Sequence, residues 1–448
     1  MSIDLSLNRI RALAARLPNY TRPTIHIAGT NGKGSVAAIV SSILRESGLR
    51  VGRFNSPHLV HIWDCINLYG CAVNPGQYER VRKEVEEANE GIGASTFEVL
   101  TGTALKIFED EKVDAVVLEV GMGGRLDATN IIPDDAVAVS IITSIGLDHI
   151  RWLGDNVEAI AKEKAGITRK AGTLVLGPQS HPNVKGIVSS ISEELGATLV
   201  DASSSVHLTE VPCSDPRALP PLPREVIWRS RHFKEEVSLH FPLYGAHQFQ
   251  NLATSLTAVE CLVESGGSSW ESITPATIAS GTKNVRWPGR LSWHDYRGLH
   301  LLVDGAHNEG SATALRQYLE SLPTLANSPR TFVVSLSHSP PKTARSVLEP
   351  LLQPGDRIAL TGFSPVVGMP WVTPVSVEEL LAVSQDIVGP EGTVASFCSA
   401  EGRPLENLRQ ALEWTKSRTD LAIVSGSLYL VADLYRLLEG DRGNKVDI

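Results

Sequence analysis

The residues best suited to chemistry stand close together in Gly29-Thr30-Asn31-Gly32-Lys33-Gly34-Ser35. Glycines there let backbone N–H groups turn toward one point, and Lys33 adds a point charge for outer phosphate oxygens. A nearby hydroxyl can reach a phosphate-bound Mg²⁺. The alternative is a plain glycine turn with Lys33 solvated. Three glycines and a lysine in seven residues favour phosphate binding. Gly34 separates Lys33 from Ser35, so the usual Gly-Lys-Ser/Thr ending of kinases and GTPases is absent.

Other reactive side chains are spread along the chain. Glu119 ends the apolar run Asp114–Val120, the place from which a carboxylate beside a phosphate loop holds Mg²⁺. Gly121-Met122-Gly123-Gly124-Arg125 follows, without the Gly-x-Gly-x-x-Gly spacing of a dinucleotide site. Ser56, in Asn55-Ser56-Pro57-His58, breaks a strand where open α/β sheets place ligands. His149 closes Leu147-Asp148-His149 and by itself reads as a structural histidine. Lys164 falls in the last turn of an expected helix over 159–167, where its charge complements the helix dipole.

The elements that must position these groups alternate. The loop sits between the run Ile25–Ala28, which suits a buried parallel strand, and a helical pattern from Val36. A first helix is expected to end near Pro18. Strands are expected at 51–54, 114–120 and 136–142, and helices at 77–90 and 96–111. Residues 201–224, rich in Ser and Pro, read as a surface excursion. Runs 226–228 and 237–241 read as a hairpin, and a helix opens near 245–251. Residues 284–288 read as a linker. Beyond it strands are expected at 299–303, 332–336, 357–360 and 421–424, with a helix from Ser311. This second parallel α/β unit has no phosphate loop of its own.

With 448 residues the chain exceeds one ordinary domain, and its net charge of −9 argues against a nucleic-acid partner. Five cysteines without a Cys-x-x-Cys pair fit a reducing compartment and no structural zinc. No apolar run is long enough to span a bilayer. Arg9, Arg11 and Arg16 have the spacing of a mitochondrial presequence, but Asp4 and the early phosphate loop favour an ordinary first helix. A cytoplasmic protein, monomeric, is expected.

Taken in order, Gly-Thr-Asn-Gly-Lys-Gly-Ser, Ser-Pro-His-Leu, Glu-Val-Gly-Met-Gly-Gly-Arg-Leu-Asp-Ala-Thr-Asn, Leu-Asp-His, Glu-Lys-Ala-Gly-Ile, Trp-Pro-Gly-Arg-Leu and Asp-Gly-Ala-His-Asn resemble the dihydrofolate synthase and folylpolyglutamate synthase family of the Mur ligase superfamily. The resemblance implies an α/β fold: a P-loop Mur-ligase-type ATPase domain with a parallel sheet over residues 1–292, and a smaller Rossmann-like domain over 293–448, with ATP and substrate in a cleft between them. It implies that Gly29, Thr30, Asn31, Gly32, Lys33, Gly34 and Ser35 bind the phosphates of ATP. Asn251 would contact adenine, Arg290 the phosphates and Asp304 the ribose, with His307 in the same motif. Ser56, Glu119 and His149 match Mg²⁺ ligands, and Lys164 matches a lysine carried as a carbamate. Lys33, His149, Lys164 and Arg290 would then be catalytic. Ile3, Asp4, Leu5, Phe97, Leu126 and Asp127 match pterin-side positions.

The chemistry so implied is ATP-dependent activation of a carboxylate as an acyl phosphate, then attack by L-glutamate. The start Ser2–Leu7, the Arg125–Asn130 segment and Pro57–Asp64 resemble the fungal-type, single-activity dihydrofolate synthase. Polyglutamate synthases of eukaryotes usually carry Arg-Glu-Arg where Trp63-Asp64-Cys65 stands. Loss of two cations there fits the one carboxylate of dihydropteroate better than a polyanionic tail. Folylpolyglutamate synthase activity, a nucleotide-binding regulatory module and a dinucleotide oxidoreductase are the alternatives.

Overall fold

The computed structural model describes residues 6–326, 328–338, 343–366, 369, 371–398 and 403–442. Ile3, Asp4 and Leu5 lie outside them. The chain divides into two compact units. The first comprises residues 1–211, 225–242 and 247–285, and the second 212–224, 243–246 and 286–448.

In the first unit the strands are β1 Thr24–Ala28, β2 Val51–Phe54, β3 Ile66–Leu68, β4 Cys71–Ala72, β5 Ala115–Glu119, β6 Val137–Ile142, β7 Thr173–Leu176 and β8 Thr198–Asp201. They form one sheet in the order β4-β3-β2-β5-β1-β6-β7-β8. β1 lies between β5 and β6, parallel to both, with Ile27 opposite Glu119 and Ile141. Every residue of β1 and β5 is buried, as continuous apolar runs under helices on both faces require. β3 and β4 make an antiparallel edge. A separate three-stranded sheet holds β9 His207–Glu210, β10 Arg224–Arg229 and β11 Glu236–Phe241.

Helix Lys33–Glu46 follows the glycine run directly and buries Val36 to Leu44 almost continuously. Helix Pro275–Asn284 lies along it: Gly281 packs on the Ile43 backbone. Ser42 Oγ donates to the Gly281 carbonyl at 2.8 Å and Ser280 Oγ to Glu46 at 2.7 Å. Helix Thr96–Asp110 starts where expected because Ser95 and Glu98 satisfy each other's backbone N–H groups. The first helix is shorter than expected, Asn8–Ala14. Residues 201–224 are also more structured than a plain excursion. His207–Glu210 forms β9 and pairs antiparallel to Val226–Arg229.

The second unit carries β12 Ser292–Tyr296, β13 Leu299–Val303, β14 Thr331–Val334, β15 Arg357–Thr361, β16 Thr393–Phe397 and β17 Leu421–Ser425, in the order β12-β13-β17-β14-β15-β16. All neighbours are parallel except β12, which runs antiparallel to β13 at the edge. The expected parallel α/β pattern thus gains one reversed strand, because Arg297-Gly298 forms a tight turn with both residues at positive φ.

Candidate active site

Gly29 to Gly32 leave the C-terminal end of β1 and feed the helix at Lys33. Gly32 is the residue before the helix and sits at φ 93°, and a Cβ there would overlap Asn251. A Cβ on Gly29 would overlap the Thr143 hydroxyl. The loop is therefore walled in from two sides, and only glycine fits at these positions. The Thr30 and Asn31 N–H groups donate to the Ser144 carbonyl at 2.9 and 3.2 Å. Thr30 Oγ1 pairs with Gly146. These bonds fix the loop's outer turn and leave the helix N-terminus with its partial positive charge.

Around that terminus the structure gathers several expected residues. Lys33 Nζ is 3.9 Å from Glu119 Oε1 and donates to the Thr30 carbonyl at 3.3 Å. Glu119, only 5% exposed, accepts from Asn55 Nδ2 at 2.7 Å, and Ser56 is the next residue. Lys164 is 3% exposed and donates to the Gly29 carbonyl at 2.7 Å. Burial first, and the Lys33 charge second, pull its pKa from 10.5 to about 7. A lysine on solvent merely complementing a helix end would not be placed so. Asn251 Nδ2 donates to Gln248 Oε1 at 3.0 Å, and Gln248 Nε2 to Ser35 Oγ at 3.1 Å. His149 stands apart: it is half-exposed at φ 51°, its Nε2 3.7 Å from Asp148.

The glycine cluster after β5 has a packing cause at each position. A Cβ on Gly121 would enter the Phe97 ring, and one on Gly124 would come within 2.9 Å of the Glu163 and Lys164 carbonyls. Gly123 lies at φ 70°. Phe97 and Leu126 border the same apolar cluster. Asp127 is buried, which raises its pKa. It accepts from the Met122 and Thr129 N–H groups at 2.9 and 3.0 Å and from Thr129 Oγ1 at 2.6 Å.

In the second unit Asp304 directly follows β13. Burial pushes its carboxyl pKa up, opposed by the Arg290 charge. It accepts from the Leu291 and Ala306 N–H groups at 2.9 and 2.8 Å. Arg290 donates to the Gly289 carbonyl, and His307 Nδ1 to the Gly305 carbonyl at 2.8 Å.

Asn55, Gln248, Thr143 and Thr129 were missed as supports by sequence reasoning. Asn55 stood beside Ser56, and Thr129 inside the marked Arg125–Asn130 segment, without either being given a role.

Comparison with known proteins gives the family of the chain. Residues 27–259 match the Mur ligase middle domain, and residues 290–437 match the C-terminal domain of dihydrofolate synthetase. The chain is 33% identical to the dihydrofolate synthetase of Saccharomyces cerevisiae, covering 98% of each. It is 34% identical to a probable dihydrofolate synthetase of Schizosaccharomyces pombe over 98% of this chain and 100% of that one. Among solved structures, E. coli FolC in complex with DHPP and ADP is similar at a TM-score of 0.78 and 27% identity, covering 99% of this chain and 95% of that one. With both halves matched and full-length relatives above 30% identity, this chain belongs to the dihydrofolate synthetase family, built on the Mur ligase fold.

Proposed function

We propose that this protein is a dihydrofolate synthase: it joins L-glutamate to the benzoate carboxylate of 7,8-dihydropteroate, converting ATP to ADP and phosphate. The observation that carries this is the grouping of Lys33, Glu119 and Lys164 around a walled phosphate loop, in a chain 33% identical over nearly its full length to a dihydrofolate synthetase.

A carboxylate resists amide formation because its leaving group would be oxide. Transfer of the γ-phosphoryl group of ATP gives an acyl phosphate, whose leaving group is phosphate. The amine of glutamate then attacks the acyl carbon. Gly29 to Ser35 offer backbone donors to the phosphates, and Lys33 offsets charge on the transferring group. Arg290, Asp304 and His307 are assigned to the nucleotide from the second unit, and Asn251 to adenine.

Ser56, Glu119 and His149 are assigned to Mg²⁺. Among the described residues no three or more His, Cys, Asp and Glu side chains form a metal cluster. One buried carboxylate beside a phosphate loop fits Mg²⁺, and Glu119 would hold it with Ser56 and His149. When bound, Mg²⁺ neutralises charge on the phosphoryl oxygens.

Lys164 suits a carbamate. With its pKa near 7, an appreciable share of the amine is neutral and can add CO₂, forming an N–C bond and releasing a proton. The product is an anion next to Lys33 in place of a second cation.

Phe97, Leu126 and Asp127, with Ile3, Asp4 and Leu5, are assigned to the pterin. Preference for a single carboxylate is supported at 61–64. There Trp63 stacks on His61 with centroids 4.4 Å apart and tilts against Tyr78 at 6.3 Å, while Asp64 accepts from the Val60 and His61 N–H groups. All five cysteines are free thiols, and no helix among the described residues is long and apolar enough to cross a membrane; we place the protein in the cytosol, acting as a monomer. Purified protein should consume ATP only when dihydropteroate and L-glutamate are both present. Turnover on tetrahydrofolate with none on dihydropteroate would make it a folylpolyglutamate synthase instead.

A further inference from the structure

Strand β1 does more than deliver the phosphate loop. Its side chains alternate, so His26 points to the face opposite Ile25 and Ile27. The ring is completely buried, and burial drives its pKa from 6.5 to about 3, so it is neutral. Its Nε2 lies 2.9 Å from Thr129 Oγ1. The Thr129 hydroxyl has one proton, which it gives to Asp127 Oδ1 at 2.6 Å. The bond to His26 must therefore be donated by the ring, which assigns the tautomer: Nε2 carries the hydrogen. Nδ1 has no hydrogen-bond partner among the described residues. Thr129 is itself fully buried, so no solvent competes for either bond.

The result is a directed line of hydrogen bonds, His26 to Thr129 to Asp127. It begins three residues before Gly29 and ends on the carboxylate that holds the Met122 N–H at the head of the glycine cluster. Threonine's oxygen is gripped on both sides, so its rotamer is locked, and the plane of the Asp127 carboxylate with it.

We propose that His26 is a positioning residue for the acid substrate, acting through Thr129 to fix the Asp127 carboxylate and the 121–127 loop. This rests on the assignment of Asp127 and Leu126 to the pterin under the function above. His26 touches no reactant itself; it ties the strand that carries the nucleotide loop to the loop that receives the acid.

The test compares Michaelis constants for dihydropteroate and ATP in the full-length protein, with melting temperature as a folding control. Thr129→Val keeps the shape but removes the hydroxyl. It should raise KM for dihydropteroate about tenfold and shift KM for ATP less than about twofold. Thr129→Ser, which retains the oxygen, should restore the wild-type value. His26→Leu, apolar and of similar size, should raise KM for dihydropteroate about fivefold without lowering the melting temperature. Because His26 acts only through Thr129, the double variant should be no worse than Thr129→Val alone. Equal changes for both substrates, additive effects, or an unchanged dihydropteroate KM in the variants overturn the proposal. If Thr129→Val does not fold, the split shown by His26→Leu decides alone. A wild-type protein that ignores dihydropteroate overturns the function and this inference together; a competent wild type with indifferent variants overturns only the inference.

Discussion

Lys33 lies close enough to Lys164 that its charge disfavours the ammonium form of Lys164, and both donate to carbonyls of the same loop. Replacing Lys33 by Ala should lower kcat by about 10²–10³-fold, since a preorganised cation at the transferring group is lost; steady-state ADP release measures it. Lys164→Ala should nearly abolish turnover, and added formate or acetate should restore part of it by supplying the missing anion. Full activity in that variant would remove the carbamate from the mechanism. His26 allows a pH prediction. Its folded pKa is depressed to about 3 from 6.5, so the unfolded chain binds the extra proton. Its contribution to stability is complete above about pH 6.5 and is lost as pH falls toward 3, with a slope of up to ~1.4 kcal/mol per pH unit. The melting temperature of His26→Leu should therefore fall less steeply than wild type between pH 6.5 and 5. At this scale the sequence was legible where chemistry is local. Gly29 to Ser35 and Glu119 declare themselves by spacing. Asn55 and Gln248 do not, because their partners lie 64 and 213 residues away and nothing in the local pattern distinguishes them from surface amides.

Elements were readable in proportion to their burial. β1, β5 and β6 carry the apolar runs of central strands, and their sequence positions agree with the structure. β8 and β12 escaped notice because half-exposed edge strands lack such a run: their residues are mostly intermediate in burial. β7, short and adjacent to a helix end, gave four apolar-rich residues that fit either element. The pairing of helices Lys33–Glu46 and Pro275–Asn284 gives the prediction that belongs here. A methyl group on Gly281 would overlap the Ile43 backbone, which cannot yield as a flexible side chain would. Gly281→Ala should destabilise the first unit by about 1–3 kcal/mol, despite alanine's better helix propensity. Urea unfolding followed by circular dichroism would show the midpoint fall; a rise would mean that the two helices can separate at little cost.

For the whole molecule, composition announced a large acidic protein, the alternation of strands and helices an α/β fold, and the order of seven motifs its family; the sheet orders came only from the structure. The decisive measurement is a competition in which dihydropteroate and tetrahydrofolate are offered together with limiting ATP and L-glutamate. Dihydrofolate should be the dominant product. Hydroxylamine added to the same mixture should trap an ATP-dependent hydroxamate of the pteroate acid, and its absence with no amide formed would exclude the acyl phosphate.

The helix that begins at Lys33 is held along its flank by residues near 281, and Ser42 and Gly281 are 239 positions apart. On a ribosome adding about 5–20 residues per second, the nucleotide loop emerges roughly 10–50 s before the segment that braces it. A nascent chain therefore carries the loop before its brace, and nucleotide binding should tighten once residues 275–284 have emerged. A fragment ending at residue 266, which keeps Gln248 and Asn251 but lacks the bracing helix, should retain less ADP in equilibrium dialysis than one extended through 285.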